Sequence, residues 1–375
     1  VTDNTGIYIH TPFCREKCHY CSFYSVPSKE GDCRIKLYVE RLFEEIEQWC
    51  SVRNIVKADT VYFGGGTPSL LGVREISRIL DFIRKKFILS ADCEITLEMN
   101  PDHLLEENIK NLVEAGVNRI VLGVQTLNSR MRNKIGRKGK LCTKKDLDLF
   151  FSFENIKKSV DIIGGLPSQT WAELSDDIET LSSYQPDHIS FYLLTLEEGT
   201  PLFYNFKPHS EFDAIQYDLW HKSIGLLKSK GYEHYEMCSF ALNGAYSRHN
   251  MKYWTFSSYA GFGPGAHSFF DNRRYYNENS LEQYFKKESI VKEDIRTASD
   301  AAVEFILTSF RLLMGFNPAR FKDVTGHDLP GEIKKGIMQM VDEGLVEVKG
   351  SLYRISDKGL DVFDSVVYRI TEPLL

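Results

Sequence analysis

Six apolar runs, each about the length of one strand, recur along the first half of the chain: 6–11 (GIYIHT), 60–66 (TVYFGGG), 94–100 (EITLEMN), 119–125 (RIVLGVQ), 159–165 (SVDIIGG) and 188–195 (HISFYLLT). They read as buried strands. Between them, segments 73–87, 104–116 and 170–184 carry apolar residues three and four positions apart, the spacing of one helix face. Strand then helix, six times over, predicts a parallel sheet with right-handed crossovers. Six units are too few for a closed eightfold barrel and enough for an open one. The expected fold is therefore α/β, a partial (β/α)6 barrel, with ligands bound beyond the carboxyl ends of its strands. Polar and glycine residues gather at those ends: Gly64-Gly65-Gly66-Thr67-Pro68, Glu98 with Asn100, Gln125, and Asp161. GGGTP alone would be a tight turn. Four strands ending in candidate ligand-binding groups point to one site.

The pattern changes after about residue 205. A long helix near 211–230 leads to GYEHYEMCSFA, then to an aromatic- and glycine-rich stretch ending in GFGPGAHSF (261–269). The final part reads as helices followed by EGLVEVKGSLYRISDKGLDVF (343–363), two short strands around a turn and a closing helix. These signals predict a barrel over 1–205, a connecting region over 206–295 and a C-terminal helical, winged-helix-like domain over 296–375. Winged helices often bind DNA, but this one lacks basic recognition residues and reads as a structural lid or tail.

Composition narrows the class. With 42% hydrophobic and 26% charged residues in 375, the chain resembles an ordinary globular enzyme. No apolar run approaches the roughly 18 residues of a membrane span, and no signal-peptide pattern opens the chain, which begins with Val1. A formal net charge of −6, from 46 basic and 52 acidic residues, gives no push toward nucleic acid. The densest basic run, 137–145, reads as a solvated loop. Eight cysteines in a chain this long form no disulfide framework, and a reducing cytoplasm is expected. Cys33, Cys50, Cys93, Cys142 and Cys238 are scattered and read as small core or surface residues.

Cys14, Cys18 and Cys21 are different: CxxxCxxC packs three thiols into one loop directly after the first strand. Zinc sites show paired cysteines with a second pair or histidines at a distance. His10 and His19 could complete such a site here. An iron–sulfur cluster fits better, because soft thiolates select it. Three ligands on a four-iron cluster leave one iron open to chemistry or to a ligand.

CxxxCxxC after the first strand, with GGGTP after the second, resembles the radical S-adenosylmethionine superfamily over roughly residues 6–200. That resemblance implies a 4Fe-4S cluster on the three cysteines, with S-adenosylmethionine chelating the open iron. It implies further that Tyr8 and Tyr20 lie against S-adenosylmethionine, and that Gly65, Gly66 and Thr67 present backbone groups to its methionine end. Glu98, Gln125, Arg137 and Asp161 match the family's polar contacts. Read on their own, Gln125 could merely satisfy strand-end amides and Arg137 could be a surface charge. A buried Glu98 or Asp161 is costly without a partner, and so a better candidate.

YIHTPFC, GGGTPSLL, EMNPD, GVNRIVLGVQ, IGGLPSQT and the tail motif together resemble the coproporphyrinogen III oxidase-like group. Its two classes are the oxygen-independent oxidase, which decarboxylates coproporphyrinogen III, and the HemW-type haem chaperone, which binds haem and passes it to client proteins. The oxidase motif continues CxxxCxxCxC after a longer leading segment. Here Ser22 and Phe23 follow Cys21, as in the chaperones, and Cys14 comes early. HNMKYW (249–254) is similar to the chaperones' HNxxYW haem-binding motif and implies that His249 contacts haem. Taken alone, His249 reads more often as a hydrogen-bonded core residue. His267 competes with it, although its flanking glycines suggest a structural turn. Gly139 stands where group members carry histidine after GRx.

The expected function is thus a haem chaperone carrying a 4Fe-4S cluster, S-adenosylmethionine and haem, with the oxidase as the alternative. A radical enzyme acting on RNA is disfavoured by the lack of a basic accessory domain. Expected partners are haem or porphyrin, a haem-accepting client protein, an electron donor and a second copy in a monomer–dimer equilibrium, with no nucleic acid. The expected location is cytoplasmic, peripheral at the membrane during delivery.

Overall fold

The computed structural model describes residues 4–53, 56–286 and 291–375; Val1 lies outside them. Six strands, β1 (Thr5–Thr11), β2 (Lys57–Gly65), β3 (Ile88–Met99), β4 (Arg119–Gln125), β5 (Lys157–Gly164) and β6 (His188–Leu193), lie side by side in chain order and pair in parallel. This is the partial barrel the apolar runs predict. β1 and β4 are buried almost throughout, as strands covered on both faces must be. The helix Val73–Lys86 shows how the outer layer forms. It buries Ile76, Ile79, Leu80 and Ile83 along one stripe and leaves Arg84, Lys85 and Lys86 at its carboxyl end, where cations suit the helix dipole. The helices Lys144–Phe151 and Trp171–Ser183 both start with capping boxes, Thr143 with Asp146 and Thr170 with Glu173.

Residues 206–295 contribute the long helix Phe212–Ser229 and six further strands. β7 (Glu233–Glu236) and β8 (Ser239–Ala241) form a hairpin beyond β6. β9 (Tyr259–Phe262) pairs in parallel with β1, and β10 (His267–Phe270), β11 (Arg273–Asn277) and β12 (Val291–Asp294) follow it antiparallel. The sheet therefore has twelve strands among the described residues, ordered β12-β11-β10-β9-β1-β2-β3-β4-β5-β6-β8-β7.

The C-terminal unit comprises helices Ala298–Ser309, Ala319–Thr325, Gly331–Asp342 and Phe363–Thr371 with the hairpin Val346–Lys349/Leu352–Ile355. Phe305, Phe310, Ile337, Met340 and Ile370 form its core, which runs on through Phe256 and Phe269 into the β9–β10 edge. No described helix is long and apolar enough to cross a membrane.

Candidate functional site

The cysteine loop begins where β1 ends and is tied down by backbone bonds to three distant segments. Gly66 donates to Thr11 O (2.8 Å) and Thr67 to Phe13 O (2.7 Å). His19 donates to Ile135 O (3.1 Å), and Leu202 donates to His19 O (2.8 Å). Gly66 has to be glycine: a Cβ there would stand 2.6 Å from Phe13 O and 3.0 Å from Cys14 Sγ. Cys14, Cys18 and Cys21 are free, partly exposed thiols on the wall of one cavity of about 400 Å3. Burial pushes Cys14 up, and Cys21 up to about 11, so iron would displace protons on binding.

The donor set suits a cluster better than a zinc ion. Both nitrogens of the buried His10 are engaged, Nε2 with Tyr24 O (3.0 Å) and Nδ1 with Tyr8 Oη (3.1 Å). Among the described residues no three His, Cys, Asp or Glu side chains converge on one ion. A four-iron cluster asks for less convergence, since each thiolate binds a different iron.

The same cavity gathers Tyr20, Gly65, Gly66, Thr67, Glu98, Gln125, Arg137 and Asp161; six of them come from the carboxyl halves of strands β2 to β5 or the turns after them, and Arg137 follows the short helix Ser129–Lys134. Arg137 is held from several sides. Its guanidinium donates to Gly123 O (2.6 Å) and Asn100 Oδ1 (3.1 Å), and it reaches Tyr20 Oη (3.4 Å) and Cys18 Sγ (3.8 Å). Gln125 ends β4 with φ of 65°, a left-handed conformation that costs energy for a non-glycine residue and bends the chain at the cavity wall.

Two carboxyls share this space. Burial, then the charge of Asp161, lifts Glu98 to about 8, although Tyr62 Oη donates to it at 2.8 Å. Burial lifts Asp161 to about 6 against the pull of Ser190 and Arg137, and its Oδ1 has no hydrogen-bond partner. An orphaned carboxylate oxygen beside a carboxyl that resists ionisation suits a ligand bringing positive charge and hydroxyl donors. S-adenosylmethionine carries both, so the residues fit it.

Because folding raises Glu98, the unfolded chain ionises first. Stability is lost as pH rises from about 4.5 to about 8, the interval between the two forms. Glu98→Gln is expected to stabilise the ligand-free protein at pH 8 by about 2 kcal/mol, less than the full shift because water reaches the cavity wall. Urea unfolding at pH 5 and pH 8 checks this; a variant no more stable than wild type at pH 8 contradicts it.

Two residues expected to bind cofactors, Tyr8 and His249, do not line this cavity. Tyr8 does not line the cavity: its ring stacks on Tyr62 and His249, with centroids 6.2 Å away in both cases, one layer beneath. His249 is fully buried, with Nδ1 bonded to Thr60 Oγ1 (2.8 Å) and Nε2 to Tyr253 Oη (2.9 Å). Burial and the neighbouring Lys252 push its pKa down to about 3, so the ring is neutral and both nitrogens are used. An iron ligand needs a free ring nitrogen, and in this structure His249 presents none. In this fold His249 plugs the barrel interior under Tyr62, the residue that holds Glu98. His249→Ala is expected to cost about 2–4 kcal/mol by opening a cavity and stranding two buried hydroxyls. Thermal or urea unfolding checks it, and unchanged stability would contradict the plug.

Gly139 adopts φ of 84°, and a Cβ there would sit 2.5 Å from Asp102 Oδ2. Arg132 caps the turn from below through the carbonyls of Lys138 and Gly139. Glycine is thus what this turn accommodates. His267 is exposed at the start of β10 and stacks on Tyr276, away from the cavity. Sequence reasoning missed Tyr62 and Tyr192, which hold and flank the two carboxyls. Their inward alternation on β2 and β6 is the signal that could have found them.

Comparison with known proteins completes the picture. The family model for the Radical SAM superfamily matches residues 8–181, and that for the HemN C-terminal domain matches 297–362. A protein named heme chaperone HemW from Buchnera aphidicola is 31% identical over 369 residues, covering 96% of this chain and 97% of the relative. One of the same name from Bacillus subtilis is 31% identical over 373 residues, covering 94% and 95%. Among solved structures, the coproporphyrinogen III oxidase HemN from Escherichia coli shares the fold, with a TM-score of 0.80 at 20% identity over 99% of this chain and 90% of that one.

Proposed function

This chain belongs to the radical S-adenosylmethionine superfamily, in the group of HemW-type proteins, and from that premise we propose that it is a haem chaperone. In this reading Cys14, Cys18 and Cys21 hold a 4Fe-4S cluster. Tyr20, Gly65, Gly66, Thr67, Glu98, Gln125, Arg137 and Asp161 hold S-adenosylmethionine, and haem is bound for delivery to a client protein. An electron donor serves the cluster. The observation that carries the reading is near-full-length kinship to proteins named heme chaperones. Phe23 agrees with it: it stands where the oxidase has a fourth cysteine and is 65% exposed at the cavity lip.

Each residue's part follows from its surroundings. When bound, the cluster with S-adenosylmethionine supplies one-electron chemistry. Gly65 and Gly66 let the backbone come close without side-chain clash, and Thr67 Oγ1 lies 3.4 Å from Cys14 Sγ. Arg137 brings fixed positive charge beside Cys18 and toward a ligand carboxylate. Asp161, with its free oxygen, and Glu98 receive amino or hydroxyl donors. The alternative, an oxidase acting on coproporphyrinogen III, draws on the shared fold and on this same cavity.

Anaerobic reconstitution followed by incubation with S-adenosylmethionine and either haem or coproporphyrinogen III separates the two. Stoichiometric haem uptake without porphyrinogen turnover is expected. Conversion to protoporphyrinogen would overturn the chaperone reading.

A further inference from the structure

A second polar group stands between the barrel and the C-terminal unit, and the cofactor cavity leaves it unused. The chain after helix Ala298–Ser309 docks on β7. Met237 N donates to Arg311 O (3.2 Å), Leu313 N to Tyr235 O (3.0 Å), and Glu236 and Leu312 form an antiparallel bridge. These backbone bonds fix Arg311 over the β7–β8 turn. Its guanidinium lies 4.4 Å from the centre of the Trp254 ring, with Nη2 3.5 Å from Cys238 Sγ and 3.6 Å from Glu236 Oε2.

Two buried nitrogens here lack any hydrogen-bond partner, Arg311 Nε and Trp254 Nε1, and Glu236 Oε2 has only its long ion pair to Arg311. Unpaired buried polar atoms are rare because each costs free energy, and two on side chains in contact call for an explanation. The group adjoins the cavity through Tyr192, which lines it and feels the charges of Asp161, Cys238 and Glu236. On the other side Trp254 meets Tyr253 edge-on, 6.1 Å between ring centres. The half-buried Trp254 ring therefore lies beside an arginine placed by backbone bonds and carrying an unused N–H.

A guanidinium fork recognises carboxylates, and an indole beside it favours a flat apolar body next to the charge. We propose that Arg311, with Trp254 at its side, binds a carboxylate carried on a planar aromatic ligand. Resting on the haem-chaperone reading, that group is a haem propionate. Glu236 already faces the same guanidinium as a long ion pair at 3.6 Å, so a ligand carboxylate would share Arg311 with it. Cys238 is the other candidate ligand group, but burial pushes its thiol up to about 11, which disfavours a thiolate on iron.

The test is a Soret titration of the reconstituted protein with haem and with haem dimethyl ester, whose propionates are masked. Arg311→Met keeps the packing against Trp254 and removes the charge; Arg311→Lys keeps the charge. Arg311→Met is expected to bind haem about tenfold more weakly, Arg311→Lys to lose less, and all three proteins to bind the ester alike. Equal haem affinity in wild type and Arg311→Met overturns the assignment alone, as does an equal loss of affinity for haem and ester. Wild type that takes up neither ligand overturns the chaperone reading and this assignment with it.

Discussion

Replacing Cys18 by serine is expected to bring bound iron, measured after anaerobic reconstitution, from about four atoms per chain to near zero. The hydroxyl is too hard and too weakly acidic to replace a thiolate on iron. Cys18 also sits where the loop is anchored most elaborately, between the His19–Ile135 and Leu202–His19 backbone bonds and against Arg137. Movement of the remaining ligands is therefore a poor compensation. Cys142→Ser serves as the control, since Cys142 is buried in the barrel core away from the cavity. Unchanged iron in Cys18→Ser, or equal loss in both variants, would sink the assignment of the cluster to this loop.

The largest effect on folding is expected at Arg119. Its side chain is 1% exposed, yet it carries a full charge through the barrel wall. Nε donates to Glu94 Oε2 (3.0 Å), Nη1 to Ser159 Oγ (3.0 Å), and Nη2 to the carbonyls of Ala245 (3.0 Å) and Tyr246 (2.8 Å). Glu94 in turn accepts from Arg248 N at 2.9 Å through its other oxygen. The pair thus fastens the turn before the helix Arg248–Trp254, the helix that carries His249 into the barrel. Arg119→Met fills much of the volume but leaves Glu94 charged and unpaired, at a cost of about 3–5 kcal/mol. Adding Glu94→Gln should recover part of that loss, because no isolated charge then remains. Urea unfolding of the single and double variants measures both; a single variant within about 0.5 kcal/mol of wild type would contradict the account.

Much of the site was legible because its signals are local. The cysteine spacing, the glycines of GGGTP and the polar residues at strand ends each sit within a few residues of a strong apolar run. A parallel sheet then brings all those ends to one side without further information. The edge strands were not legible. β8, β9 and β10 are three or four residues long and lie among glycines and aromatics, so no two-residue alternation builds up. β8 is placed by β6 and β9 by β1, the first strand of the chain, and β10 joins the sheet only through β9 and β11.

His249 shows the same limit at a single side chain. The motif HNMKYW states that a histidine and two aromatics lie close together; it cannot say what the ring nitrogens touch. One partner, Tyr253, is four residues on and lies within helical reach, but the other, Thr60, is 189 residues back. Only when both are in place is the imidazole fully engaged. Arg119 and Arg311 follow this rule too, as basic residues whose partners lie far away in the chain: Glu94, Ser159, Ala245 and Tyr246 for the first, and Glu236, Cys238 and Trp254 for the second.

The sequence by itself determined the six strand–helix units, the three-thiol loop and the family, because periodicity, ligand spacing and turn chemistry are properties of neighbouring residues. Only the tertiary structure decided which polar atoms are satisfied. That depends on burial and on groups far apart in the chain: it occupied both nitrogens of His249, left Asp161 Oδ1 open, and set Arg311 against Trp254 with an N–H to spare.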